Sequence, residues 1–287
     1  MLFFDLSGRA KLRLTGNDRV RFLNGQVTND IRRANTDFSI PACVLNAKGK
    51  IDALVFVSAG ADELFLDADE TQRETLAQRL GRYVIADDVA IHDVTEEFSL
   101  FHVTAETAPT VPNDAPWRRA KRFGVAGWDL VVPASENDRV LQTLAVHEPL
   151  VDAEAAERLR IEQGIPRWGF ELTNQIIPVE ANLADDAIDY AKGCYIGQEV
   201  ISRMKMSGQM SKRLRGLVSL DGAALAPDTR LLSPDDGKDV GWITSATRSD
   251  RLGKEIALAY VKRGFNQAGA KLSAGEHPVE VVELPFL

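Results

Sequence analysis

Apolar and polar positions alternate along RAKLRLTG (9–16), a pattern that predicts a strand. NDRVRFLNGQVTNDIRR (17–33) changes period. Val20, Leu23, Val27 and Ile31 fall near helical spacing, with Asn17 as a cap and Gly25 as an interruption that turns part of the segment into loop. Short alternating runs follow at ACVLN (42–46), IDALVFVS (51–58) and ELFLDA (63–68), then a helix near 70–83 on Leu76, Leu80 and Tyr83. FSLFHVT (98–104) and WDLVVP (128–133) read as strands, and between them ETAPTVPNDAPW (106–117) reads as a loop because of its three prolines. SENDRVLQTLAVHE (135–148) reads as a Ser-capped helix. DAEAAERLRIEQG (152–164) is the best helix in the chain, with Glu154/Arg158 and Arg158/Glu162 pairs and a Gly164, Pro166 stop.

After about residue 210 the helical period disappears. GLVSL, TRLLS, DVGWITSATR, EIALAYVK and VEVVEL are short strands separated by PD, SPDDGKD and RSDRLGK turns. Five or six such strands in about 80 residues predict a small antiparallel barrel. The fold class is α+β, a large mixed part followed by an all-β part. The expected division is 1–207, with a second mixed subdomain at roughly 44–105, and 208–287 for the barrel.

Composition narrows the function classes. The 287 residues suffice for about two domains, and 45% hydrophobic with 26% charged residues is the balance of a soluble globular protein. No apolar run nears the ~18 residues of a membrane span, and MLFFDLSGRAKLRL resembles neither a secretory signal nor a transit peptide. The expectation is a cytoplasmic monomer with no membrane partner. A formal charge of −8 argues against direct nucleic-acid binding. The two cysteines, Cys43 and Cys194, fall short of the four thiolates of a cluster, and the four histidines are scattered, so no autonomous metal site is expected. Phosphate-loop, dinucleotide and hydrolase-elbow patterns are all missing.

KGCYIGQEV (192–200) stands apart. Gly193 and Gly197 bracket CYI and allow close approach of the backbone. Lys192, if it folds toward the thiol of Cys194, favours the thiolate. Gln198 and Glu199 are of the types that read a heterocycle edge. The bland alternative is a small buried hydrophobe at a tight turn. Downstream, ISRMKMSGQMSKRLRGL (201–217) holds Arg203, Lys205, Lys212, Arg213 and Arg215 with Met204, Met206 and Met210. As a strand, RMKM puts its methionines on one face and its bases on the other. A second basic run, WRRAKR (117–122), leads into FGVAGWDL.

These segments together resemble the YgfZ-like folate-binding proteins, relatives of the glycine-cleavage T-protein, an aminomethyltransferase. KGCYIGQE looks like that family's signature. LTGNDRVRFLNGQVTND (14–30), RLRIEQGIPRWGFEL (158–172), IPVEANL (177–183) and GLVSL follow in the family's order. The resemblance implies a three-lobed fold of two mixed α/β lobes and a C-terminal antiparallel β-barrel, with tetrahydrofolate or a one-carbon derivative as cofactor. It implies a role in assembly or repair of iron–sulfur enzymes, tRNA-modifying ones included, through transient contacts with client proteins. Cys194 and Lys192 are then the functional pair. Arg122, Trp128, Asp129, Asp52, Tyr195, Gln198, Glu199 and Arg203 are the expected folate contacts. Two departures bear on chemistry. Val125 stands where the T-protein's pterin glutamate falls, which leaves Trp128 to stack and Asp129 or another carboxylate to accept. Ala53 and Leu54 stand where its two acids fall, with Asp52 one position off. Aminomethyl transfer is therefore expected to be absent or feeble, with a tetrahydrofolate-dependent aminomethyl- or methyltransferase as the alternative function.

Overall fold

The computed structural model describes residues 1–110, 116–146 and 149–286, so part of the proline-rich stretch and the end of SENDRVLQTLAVHE lie outside the described residues. Its strands are β1 (Leu2–Asp5), β2 (Ala10–Thr15), β3 (Ile40–Leu45), β4 (Ile51–Ala59), β5 (Leu64–Ala68), β6 (Ala90–Asp93), β7 (Phe98–Thr104), β8 (Arg118–Arg119), β9 (Gly127–Pro133), β10 (Lys212–Ser219), β11 (Arg230–Leu232), β12 (Asp239–Ser249), β13 (Lys254–Lys262), β14 (Lys271–Ala274) and β15 (His277–Val282). The helices are α1 (Arg19–Gln26), α2 (Arg73–Gly81), α3 (Asn137–Ala145), α4 (Ala153–Glu162), α5 (Ala184–Ala187) and α6 (Gln198–Ser207).

Two compact units result, Met1–Asp152 with Ala184–Val200, and Ala153–Leu183 with Ile201–Leu287. Residues 153–183, expected with the first region, belong instead to the barrel's unit. There Arg160 of α4 pairs with Glu171 at 2.9 Å and bonds the Ser245 hydroxyl of β12, and the Tyr260 hydroxyl donates to the Glu171 carbonyl at 2.9 Å.

The first unit holds two sheets. One has the order β1-β7-β9-β8; on one face Phe3, Phe101, Val103, Leu130 and Val132 pack with Val140 and Leu144 of α3. The other, β3-β4-β5-β2-β6, buries alternate residues of β4 (Ala53, Val55, Val57) with Leu12, Leu14, Leu64 and Leu66 against Leu23 of α1 and Leu76 and Leu80 of α2. The second subdomain thus reaches back to β2 and β3, while β7 joins the other sheet. Lys11 of β2 is fully buried, its ammonium donating to the carbonyls of Ser7 (2.7 Å), Arg9 (2.9 Å) and Thr95 (3.1 Å).

The second unit contains the expected barrel, closed by six strands in the order β10-β13-β12-β11-β14-β15. Ala257, Ala259 and Val261 alternate inward on β13 and meet Leu217, Ile243, Leu272, Val279 and Val281. Three local expectations change. RMKM is helical, the middle of α6, so its charges and thioethers do not alternate across a strand. NDRVRFLNGQVTNDIRR splits into α1 and a 3₁₀ turn at Ile31–Arg33, because Val27–Asp30 leave the helix to bond neighbouring segments. Ser135 sits in a 3₁₀ turn ahead of α3 and does not cap it.

Candidate functional site

The signature loop folds onto the stretch that follows α1. Thr28 receives the Cys43 amide at 2.8 Å on its hydroxyl, and its own amide donates to the Cys43 carbonyl at 3.0 Å. The same hydroxyl donates to the Ala187 carbonyl, and the Asp189 amide to the Thr28 carbonyl. Asn29 gives its side-chain amide to the carbonyls of Pro41 and Asp186. This bonding fixes the chain just before the signature.

Lys192 completes the attachment, and here the sequence expectation is corrected. Its side chain is only 5% exposed, and its ammonium donates to the carbonyls of Asn24 (2.7 Å), Val27 (2.7 Å) and Asn29 (2.6 Å). An ammonium has three protons. All three are engaged by backbone, so Lys192 does not serve the Cys194 thiol as a counter-charge. Burial pushes it down to about 8, against the opposing pull of Asp30 and Asp189. Its nitrogen also lies 5.2 Å from the ring centroid of Tyr195, a buried phenol whose ionisation burial pushes up.

The far end of the loop is held by close approach. Gly197 has φ +84°, and a Cβ there would lie 2.7 Å from the Asn46 carbonyl oxygen. Gly49, at φ +71°, is equally tight against Val200. Only glycine fits either position. Between these two attachments Cys194 is exposed, whereas Cys43 is buried, its thiol pushed up to about 12 by burial. The reading of Cys194 as a small buried side chain is therefore set aside.

Asn46 connects the loop to Asp52. Its side-chain amide lies 3.4 Å from the Asp52 carboxylate, which pairs with Arg79 of α2 at 3.0 Å. Arg79 also donates to the Leu45 carbonyl (2.7 Å) and to Gln26 (3.2 Å), and its guanidinium carbon is 4.4 Å from the Tyr83 ring centroid. Arg79 and Tyr83 lay in a segment the sequence marked only as helix. The periodicity of Leu76 and Leu80 gave no sign of a polar hub.

The remaining expected contacts divide. Gln198 is half-buried and Glu199 exposed at the start of α6; Arg203 is exposed on the same helix but belongs to the second unit. Trp128 turns its side chain toward the α3 cluster and donates to the Ala105 carbonyl at 3.2 Å. Asp129, one residue on, points the other way into a buried charge network. Arg122 donates to both Asp129 and Asp67, at 2.6–2.9 Å, and lies over the Phe56 ring; Arg9 completes the pairing at Asp67. His102 Nδ1 meets Asp129 at 2.8 Å, and its Nε2 has no hydrogen-bond partner. The Asp129 carboxylate reaches about 2: burial alone would raise it, and Arg122 and His102 overcome that. Burial lowers His102. Asp129 and Arg122 therefore satisfy each other and join the two sheets, so neither is open to a pterin. The half-exposed carboxylate of this unit's candidate site is Asp52.

Comparison with known proteins agrees with this fold. The family model for the glycine cleavage T-protein C-terminal barrel domain matches residues 212–287. The crystal structure of glycine cleavage system aminomethyltransferase T from Bartonella henselae superposes with a TM-score of 0.87 over 100% of this chain and 86% of that one, at 17% identity. An aminomethyltransferase of Herpetosiphon aurantiacus is 28% identical over 99% of this chain and 86% of its own. An iron-sulfur cluster assembly factor IBA57 homolog, mitochondrial, from Dictyostelium discoideum is 26% identical over 73% of this chain and 60% of its own.

Proposed function

We propose that this chain, whose fold and relatives support membership of the glycine-cleavage T-protein superfamily, is a folate-binding accessory factor for the assembly or repair of iron–sulfur proteins, in the manner of the YgfZ-like branch. One observation carries the reading. An exposed thiol, Cys194, sits on a loop fixed at Lys192 by three carbonyls and at Gly197 by contact with Asn46. A thiol held so firmly, yet open to solvent, is suited to a transient bond with sulfur, iron or a client protein.

The residues around the loop fit a folate. Asp52 and the amides of Asn46 and Gln198 are acceptors and donors of the kind that read an aminopyrimidine edge. Bound folate would supply a one-carbon unit. The chain's own part is to bind the ring, hold Asp52 through Arg79, and present Cys194. Titration of the purified protein with tetrahydrofolate by calorimetry tests the cofactor; micromolar binding, about 8 kcal/mol, is expected. Deletion of the gene and a survey of iron–sulfur enzyme activities, tRNA-modifying ones included, tests the role. Normal activities across that survey, or no binding at millimolar folate, refute it.

A second reading is favoured by the Asp52–Arg79 pair and by the aminomethyltransferase relatives that span 99% of this chain. There the protein is a tetrahydrofolate-dependent transferase acting on an amine that Asp52 orients. Formaldehyde release from a methylated amine, lost in Asp52→Asn, separates it from the first. Ala53 is 1% exposed in the core, and Val125 offers no acceptor, which favours the accessory role.

A further inference from the structure

The outer face of the barrel carries a cleft of about 340 Å³, lined by Asp228, Arg230 and Trp242, all within the second unit. Tyr260 of β13 lies between Ala259 and Val261, which face the barrel core, so it points outward. Its neighbour across the sheet is Trp242 of β12, and the next is Arg230 of β11. The Tyr260 ring packs against Trp242 with 5.3 Å between centroids, and its hydroxyl is tied to the Glu171 carbonyl. The indole is thereby a braced wall, partly open to solvent. Asp228 reaches the same cleft from the turn at 226–229, where its amide donates to the Ile243 carbonyl at 2.9 Å. It has φ +64° at the third position of that turn, after Pro227, where glycine is the default residue. Among the described residues its carboxylate has no hydrogen-bond or ion-pair partner.

The three side chains offer an apolar face, an unused carboxylate and a guanidinium. Arg230 pairs with Asp239 at 3.5 Å, with 65% of its own side chain exposed, and an exposed pair of that length contributes little. Asp239 also holds Lys262 at 3.0 Å, so it keeps a partner when Arg230 turns to a ligand. A ligand that is only a cation meets the charge of Arg230, and one that is only an anion meets Asp228. A molecule with both charges and an apolar part uses all three walls. We propose that this cleft binds a free α-amino acid as its zwitterion, the ammonium on Asp228, the carboxylate on Arg230 and an apolar side chain on the indole of Trp242. The guanidinium fork matches a carboxylate with two parallel hydrogen bonds. The volume lies at the low end of small-molecule sites, roughly 300–1,000 Å³, which suits a ligand of this size and not an extended cofactor. The assignment does not rest on the folate reading.

The test is an NMR chemical-shift titration of the isotope-labelled full chain with L-phenylalanine, 2-phenylethylamine (the same molecule without its carboxylate) and 3-phenylpropionate (without its ammonium). Phenylalanine is expected to bind with a Kd on the order of 1 mM, moving the Trp242 indole N–H and the backbone amides at 228–230. Each analogue is expected to bind about tenfold more weakly, the effect of one charge-assisted hydrogen bond. Asp228→Asn keeps a residue that tolerates the left-handed backbone; it is expected to weaken phenylalanine about tenfold and leave 3-phenylpropionate within about twofold. Arg230→Gln is expected to weaken phenylalanine similarly and to leave 2-phenylethylamine within about twofold. Both replaced side chains are exposed, so thermal midpoints near wild type are expected. No shift at about 10 mM phenylalanine overturns the proposal, as do shifts confined to residues away from the cleft. Either analogue binding as tightly as phenylalanine overturns it too, as does an equal loss for all three probes in either variant.

Discussion

Replacing Lys192 with Met keeps the length of the side chain and removes its three hydrogen bonds. The carbonyls of Asn24, Val27 and Asn29 then face an apolar thioether in a site only 5% open to water. A buried acceptor left without a donor costs about 1–3 kcal/mol, and three such groups cost roughly 3–9 kcal/mol. Part of this is offset, because the substitution also removes the desolvation penalty of a buried ammonium, the penalty that holds Lys192 at about 8. A net loss of about 2–4 kcal/mol is expected. In a unit of this size each kcal/mol shifts the thermal midpoint by about 2–4 °C, so a fall of roughly 5–15 °C follows. Circular dichroism melts measure it, and hydrogen exchange at residues 24–30 localises it. Faster exchange there is the second expected sign. A midpoint within about 1 °C of wild type, with complementation of a deletion strain abolished, would refute the clamp and return Lys192 to chemistry at the thiol.

Iodoacetamide is expected to label Cys194 in the folded protein, while Cys43, buried with its thiol pushed up to about 12, reacts only on unfolding; equal rates at neutral pH would contradict the burial assigned to Cys43. Gly197→Ala is expected to cost at least about 2 kcal/mol, from the left-handed backbone and the clash with Asn46; an unchanged urea midpoint counts against the close approach. Acid sensitivity follows from Asp129. With a folded value of about 2, against an ordinary 3.8, the unfolded chain binds the extra proton between those values. Stability from this group is therefore complete above about pH 4 and lost as pH falls through 2. Urea midpoints of wild type against Asp129→Asn across pH 5 to 2 should converge as the acid rises; parallel curves would exclude the ion network as the source.

Much of the fold was legible because its signals are local. The strands of the barrel announce themselves by alternation and turn residues, and α4 by its periodicity, its Glu154/Arg158 pair at 3.1 Å and its glycine stop. RMKM misled because four residues of alternation cannot outweigh a helix that runs from Gln198 to Ser207. Within the candidate site, Gly193 and Gly197 pointed to close approach of the backbone; Gly197 has it, against Asn46, whereas Gly193 faces open space. The roles of Lys192 and Asp129 were hidden for a different reason. Each is decided by partners more than a hundred or more than fifty residues away, Asn24, Val27 and Asn29 for the lysine and Asp67 through Arg122 for the aspartate. Arg158 illustrates the same limit, since it reaches Asp250 instead of Glu162.

The first compact unit is discontinuous in sequence, Met1–Asp152 completed by Ala184–Val200. During synthesis on the ribosome, the Lys11 clamp can close once Thr95 has emerged, but the Asn24, Val27 and Asn29 carbonyls must wait for residue 192. The intervening helix and turn of the other unit leave the exit tunnel first. A fragment cut at Asp152 therefore resembles a nascent chain arrested before its last fastening, and is not a smaller domain. The same order places the thiol loop among the last parts of that unit to be secured.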